Sequence, residues 1–153
     1  MIENYSVITV NMDSEVWKDI LGYEDVYEVS NFGRVRQKVD IFNTRQNKKD
    51  FKIIKPDINY VQRSGYLRIN LYKNGKSKHH LVHRLVAEAF MPNPYNLPFV
   101  NHKDEDRSNP RLDNLEWCTQ KYNANYGKCK EKRAFTLARK KNKDKIALWS
   151  NEN

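Results

Sequence analysis

Apolar and polar residues alternate through Tyr66-Leu67-Arg68-Ile69-Asn70-Leu71-Tyr72. That is the two-residue period of a β-strand. Asn74-Gly75 follows, a dipeptide that tolerates the positive φ of a tight hairpin turn, so Lys76 to Val82 is expected to return as the paired strand. The period then changes. Leu85, Val86, Ala89 and Phe90 share one face at helical spacing, and Pro92 and Pro94 stop the helix that His83 opens. Upstream, Val16 and Trp17 open an earlier region, and Tyr27 and Val29 alternate with polar neighbours as a short strand. Ser30-Asn31-Phe32-Gly33 has turn composition, and Arg34-Val35-Arg36 reads as the returning strand. From Val39 to Lys52 the chain is polar and basic and reads as an exposed loop, ended by Pro56. Downstream, Phe99-Val100 forms a short strand, Lys103 to Asp113 a charged loop, and Asn114 to Cys118 a second strand carrying Leu115 and Trp117. Thr119 is placed to cap a helix through Tyr126, which Gly127 ends.

These elements make an α+β protein in three regions: a small β-rich module over 14–59, a mixed domain over 60–127, and an extension over 128–153. Charge alters the picture of the last. The 153 residues carry a formal +9, and between Lys128 and Lys145 nine lysines and arginines face two acids, a surplus of seven. A basic balance of this kind is the footprint of a nucleic-acid partner, against the plainer reading of a solvated basic surface. No apolar run approaches the length of a membrane span, and Met1 to Val10 has no signal-peptide pattern, so a cytoplasmic location is expected. Cys118 and Cys129 are then expected to stay reduced, and the lack of any CxxC pair argues against a structural zinc site.

The stretch Phe99 to Tyr126, read as strand, charged loop, strand and helix, holds Asn101, His102, Asn114 and Asn123. With Val82-His83-Arg84-Leu85-Val86-Ala87-Glu88-Ala89-Phe90, Val100-Asn101-His102-Lys103-Asp104 and Asn114-Leu115-Glu116-Trp117, it resembles the HNH nucleases, specifically the branch found as homing endonucleases in phages and introns. A second string, Trp17, Gly22-Tyr23-Glu24, Tyr27-Glu28-Val29-Ser30-Asn31 and Gly33-Arg34-Val35, is similar to a short module that often precedes this domain. The resemblance implies a ββα-metal nuclease core around one divalent ion, Mg²⁺ or else Mn²⁺, hydrolysing phosphodiesters of double-stranded DNA. It implies His102 as general base, Asn101 and Asn123 as metal ligands, and Asn114 as the residue that ties down the loop and orients His102. Many members have Asp where this chain has Asn101, and a neutral amide holds a hard cation less strongly than a carboxylate. Asp104 lies close by as a further carboxylate, expected not to ligate directly.

Other residues divide between bland and functional readings. His79 and His80 point to opposite faces of a strand and cannot easily share a metal. His83 is read first as a packing residue and only second as a ligand, and Trp17 and Trp117 as core. Tyr122 and Tyr126, four apart, are expected to turn one face to the core. Phosphate contacts are expected from Arg133, Arg139, Lys140 and Lys141, base reading from Arg34, Arg36, Arg68 and Lys78, and a further DNA contact from Lys103. No apolar stripe suggests a partner subunit, so a monomer is expected. A DNA-binding protein of the same fold without catalysis is the alternative of a different class.

Overall fold

The computed structural model describes residues 13–39 and 50–127. The basic extension, with Cys129, Arg133, Arg139, Lys140 and Lys141, lies outside the described residues.

Four strands, β1 (Trp17–Asp19), β2 (Tyr27–Ser30), β3 (Val35–Val39) and β4 (Asp50–Ile54), form one antiparallel meander. β2 turns Tyr27 and Val29 inward, β3 turns Val35 the same way, and all three are buried. The turn between them closes at Gly33, whose φ of +79° a side chain rarely adopts. A helix, α1 (Ile58–Ser64), leads to the hairpin of β5 (Arg68–Lys73) and β6 (Lys76–Leu81), which reverses at Asn74-Gly75 with positive φ at both residues. Ile69 and Leu71 are the hairpin's buried residues. Helix α2 (Val82–Phe90) follows without a loop, and Met91 ends it before Pro92. Then come β7 (Phe99–His102), one 3₁₀ turn over Leu112–Asn114, β8 (Leu115–Cys118) and α3 (Gln120–Asn125), with Asn101 paired to Glu116 and His102 to Leu115.

Helix α2 is the hub. It touches β1, β2, β6, β7, β8 and the 3₁₀ turn, and buries Val82, His83, Leu85, Val86 and Ala87. Its neighbours Ile20, Val29, Val35, Ile69, Leu71, Val100, Leu112 and Leu115 join it in a single apolar cluster. The four-stranded sheet and the ββα unit therefore share one core. Among the described residues no helix is long and apolar enough to cross a membrane.

Several expectations need correction. Residues 50–52 form part of β4 rather than the end of a loop, because Arg36 and Lys38 pair across to Ile53 and Phe51 in a regular register. Helix α1 was not anticipated. It is a seven-residue element with no buried side chain, and its signals are two caps: the Asp57 carboxylate accepts from the Asn59 and Tyr60 amides, and Gly65 closes it at φ +78°. Trp17 lies outside the core cluster and instead carries the guanidinium of Arg36, 4.1 Å above its ring. Tyr122 and Tyr126 also stay out of the core: Tyr122 is 47% exposed, and the Tyr126 hydroxyl donates to the Lys103 carbonyl at 3.0 Å.

Candidate active site

The two strands and α3 surround a cleft of about 540 Å³ whose lining includes Asn101, His102, Arg107, Asn123 and Tyr126. β7 supplies Asn101 and His102 from its last two positions, both buried. α3 supplies Asn123. Its N-terminus is set by Thr119, whose hydroxyl accepts from the Tyr122 amide at 3.2 Å.

Each first-choice residue has a distinct setting. Asn101 Nδ2 donates to Glu116 Oε1 across the strand pair at 2.7 Å, which leaves Oδ1 as the end of the amide available to a cation. His102 is 5% exposed, and its Nε2 is buried without a hydrogen-bond partner. Nδ1 is the other ring nitrogen, and the residue lines the cleft. Burial holds the His102 pKa below its ordinary value; Asp104 and Asp106 pull upward against it, and Arg107 adds to the lowering. The lowered pKa favours the neutral ring.

Asn114 does not line the cleft. Its Oδ1 accepts from the Asp104 amide at 3.0 Å, its Nδ2 donates to Asp104 Oδ1 and the Asn109 carbonyl at 2.9 Å each, and its own carbonyl accepts from the Lys103 amide at 2.8 Å. These bonds clamp both ends of the loop that follows His102. Burial would raise the Asp104 carboxyl, but hydrogen bonds from Asn109, Asn114 and the Asp106 amide outweigh it and hold the pKa low. Both oxygens of that carboxylate accept hydrogen bonds within the loop, from the Asp106 amide, Asn109 and Asn114.

Glu116, Arg107 and Tyr66 were not singled out from the sequence for the site, and His83 was read there first as a packing residue. Glu116 becomes visible only with the strand register. Arg107 reaches into the cleft, donates to the Ser64 carbonyl at 3.3 Å, and lies 5.0 Å over the Tyr66 ring. Tyr66 and His83 back the base: the His83 ring meets that of His102 nearly edge-on at 4.9 Å, and Tyr66 tilts against both. Burial, with smaller effects from His102 and Arg84, pushes the His83 pKa down to about 3, so it is neutral beside His102.

The expected DNA-contact residues are dispersed. Arg34 pairs with Glu15; Arg36 pairs with Glu28 at 2.6 Å between the rings of Trp17 and Phe51; Arg68 pairs with Asp57 over Tyr60. Lys103 donates to the Asp113 carbonyl at 2.8 Å. Lys78 is exposed on β6.

Comparison with known proteins agrees with this fold. Residues 15–72 match the NUMOD4 motif, and residues 80–125 match the HNH endonuclease model. The DNA endonuclease I-HmuI of Bacillus phage SP01 is 37% identical over 138 residues, covering 88% of this chain and 72% of that one. The uncharacterized HNH endonuclease L245 of Acanthamoeba polyphaga mimivirus is 39% identical over 110 residues, covering 72% of this chain but only 29% of that relative. This chain thus spans less than a third of the mimivirus protein. A solved structure of the HNH homing endonuclease I-HmuI, described as showing DNA binding and cleavage, superposes with a TM-score of 0.62 at 36% identity, over 83% of this chain and 68% of that one.

Proposed function

The chain belongs to the HNH endonuclease family, and from that premise we propose that it hydrolyses phosphodiester bonds of double-stranded DNA in a homing-type role. The observation that carries this is the convergence of Asn101, His102 and Asn123, from a strand end and a helix, on one cleft. His102 Nδ1 takes the proton of the attacking water, a task suited to a neutral imidazole held below its ordinary pKa. Asn114 keeps that ring in place through the clamped loop. Arg107 offers a guanidinium to the non-bridging phosphate oxygens.

A divalent ion fits the donor set. Asn101 presents Oδ1 because Nδ2 is committed to Glu116, and Asn123 lines the same cleft. Among the described residues no group of three or more His, Cys, Asp or Glu could hold a metal. The pair of neutral amide oxygens therefore suits an ion that keeps waters and takes phosphate oxygens from its substrate, the habit of Mg²⁺. When bound, the ion supplies charge stabilisation to the phosphate and the leaving oxygen.

For the DNA surface, we assign the module over 14–59 and the hairpin to groove contacts, the domain over 60–127 to cleavage, and the extension over 128–153 to phosphate contacts through Arg133, Arg139, Lys140 and Lys141. The enzyme acts as a monomer in this reading. The test is cleavage of a supercoiled plasmid library with Mg²⁺ or Mn²⁺, comparing wild type with His102→Ala and Asn123→Ala. Nicking or linearisation that chelator abolishes, and that drops by about a hundredfold or more in both variants, is expected. Intact DNA binding without cleavage under any divalent ion would replace the enzyme with a DNA-binding protein of the same fold.

A further inference from the structure

The module that precedes the nuclease domain touches the catalytic loop directly, through the turn between β2 and β3. Asn31 is 1% exposed. Its Oδ1 accepts from the Val16 amide at 2.8 Å, and its Nδ2 donates to the Ser14 carbonyl at 3.1 Å. With its side chain fixed inside the module, Asn31 turns its carbonyl outward to accept from the Leu112 amide at 2.9 Å. Beside it, Phe32 lies 4.3 Å beneath the guanidinium of Arg111. Gly33 lies flat against Pro110: a Cβ there would stand 2.9 Å from Pro110 Cβ and 3.2 Å from the Pro110 carbonyl. Residues 110–112 are therefore gripped by the turn at three successive points. Two residues on, Asn114 binds Lys103 and Asp104, the neighbours of His102.

We propose that this turn is a positioning element for the reaction, Asn31 and Gly33 fixing residues 110–112 so that Asn114 holds His102 in place. The inference rests on His102 being the base. It gives a module expected to grip DNA a second task, in turnover. A loop anchored only at Asn114 would leave the imidazole free to shift, and displacements of about 1 Å remote from the chemistry can cost about a hundredfold in rate.

The test uses the full chain with Gly33→Ala and the double variant Gly33→Ala/Pro110→Gly. The added methyl meets the Cβ and Cγ of Pro110, and the second substitution removes both atoms. Three quantities are measured: the imidazole resonances of His102 by NMR, assigned by their loss in His102→Ala; the Kd for DNA; and kcat at saturating DNA. In Gly33→Ala the His102 resonances should move while those of exposed His79 stay. The kcat should fall by between about tenfold and a hundredfold with Kd within about twofold, and the double variant should recover the part of the loss that comes from the Pro110 contact, the positive φ at position 33 retaining the rest. An unmoved His102 signal in folded Gly33→Ala, a loss confined to Kd, or a double variant no better than the single would each overturn the proposal. If Gly33→Ala does not fold, Phe32→Ala removes the ring under Arg111 without entering Pro110. It should show the same signature with a kcat loss of about threefold, and an unmoved His102 signal there counts equally against the proposal. If the wild type cuts no DNA, the assigned reaction fails, and the His102 resonances alone decide whether the turn positions the ring.

Discussion

Asn101 and Glu116 settle their orientations together. The amide Nδ2 donates to Glu116 Oε1 at 2.7 Å, at a strand pair where Asn101 is buried. An Asp in its place would set two carboxylates against each other at that separation, and one of them would have to take up a proton. Asn101→Asp is therefore expected to lower stability in chelator by about 1–3 kcal/mol, and to regain it when a divalent ion is added. The double change Asn101→Asp/Glu116→Gln restores a donor facing the carboxylate. It should reduce the Mg²⁺ concentration for half-maximal cleavage several-fold, as a charged ligand binds a hard cation more tightly. Thermal melts with and without chelator, and a metal titration of cleavage, check both parts. A single variant as stable as wild type in chelator would show that the Asn101–Glu116 contact does not govern this position.

At the scale of elements, the hairpin separates two basic residues that look alike in the sequence. Lys78 is exposed on β6, whereas Arg68 on β5 is stacked on Tyr60 and paired with Asp57, the residue that caps α1. Lys78→Ala should weaken DNA binding and flatten its salt dependence by about one unit of slope, leaving the melting temperature unchanged. Arg68→Ala should instead lower stability by about 1 kcal/mol, because it strips α1 of a cap partner and uncovers a ring. Equal effects of the two on the salt slope would return Arg68 to the DNA surface. The contrast shows what sequence patterns carried. Strand alternation around Tyr27 and Ile69, the Asn74-Gly75 turn and the Thr119 cap are local signals, and the elements they mark are present. Asn101, His102 and Asn123 fall into one cleft because the strand end and the cap set their directions. Glu116 and His83 were not legible as neighbours of the site. Their contacts depend on the β7–β8 register and on α2 packing beneath β7, both made by residues far apart along the chain. Helix α1 and β4 failed for a different reason: neither has a buried apolar stripe long enough to show a period.

The described residues are expected to unfold as one unit because α2 faces two ways. Val29 and Val35 of the sheet and Leu112 and Leu115 of the ββα unit belong to the same apolar cluster around Leu85 and Val86. A separable module would need its own core, yet among the described residues the buried aliphatics of the four strands, Val29 and Val35, both belong to this shared one. Val29 is wholly buried, so Val29→Ala leaves a cavity and should cost roughly 2 kcal/mol. In a chain of this size that lowers the melting temperature by about 4–8 °C. The decisive feature is how the loss is distributed. Trp17 sits on β1 and Trp117 on β8, and single-tryptophan variants that retain one or the other report on the two halves separately. Both probes should melt together in the wild type and shift together in Val29→Ala. Two transitions, or a shift seen by Trp17 alone, would mean that the module unfolds independently. A single transition would mean that a fragment starting at residue 60 exposes the α2 face that Val29 and Val35 cover, and loses the Asn31 carbonyl that anchors Leu112. Such a fragment would keep Asn101, His102 and Asn123 in its sequence without the packing that brings them together.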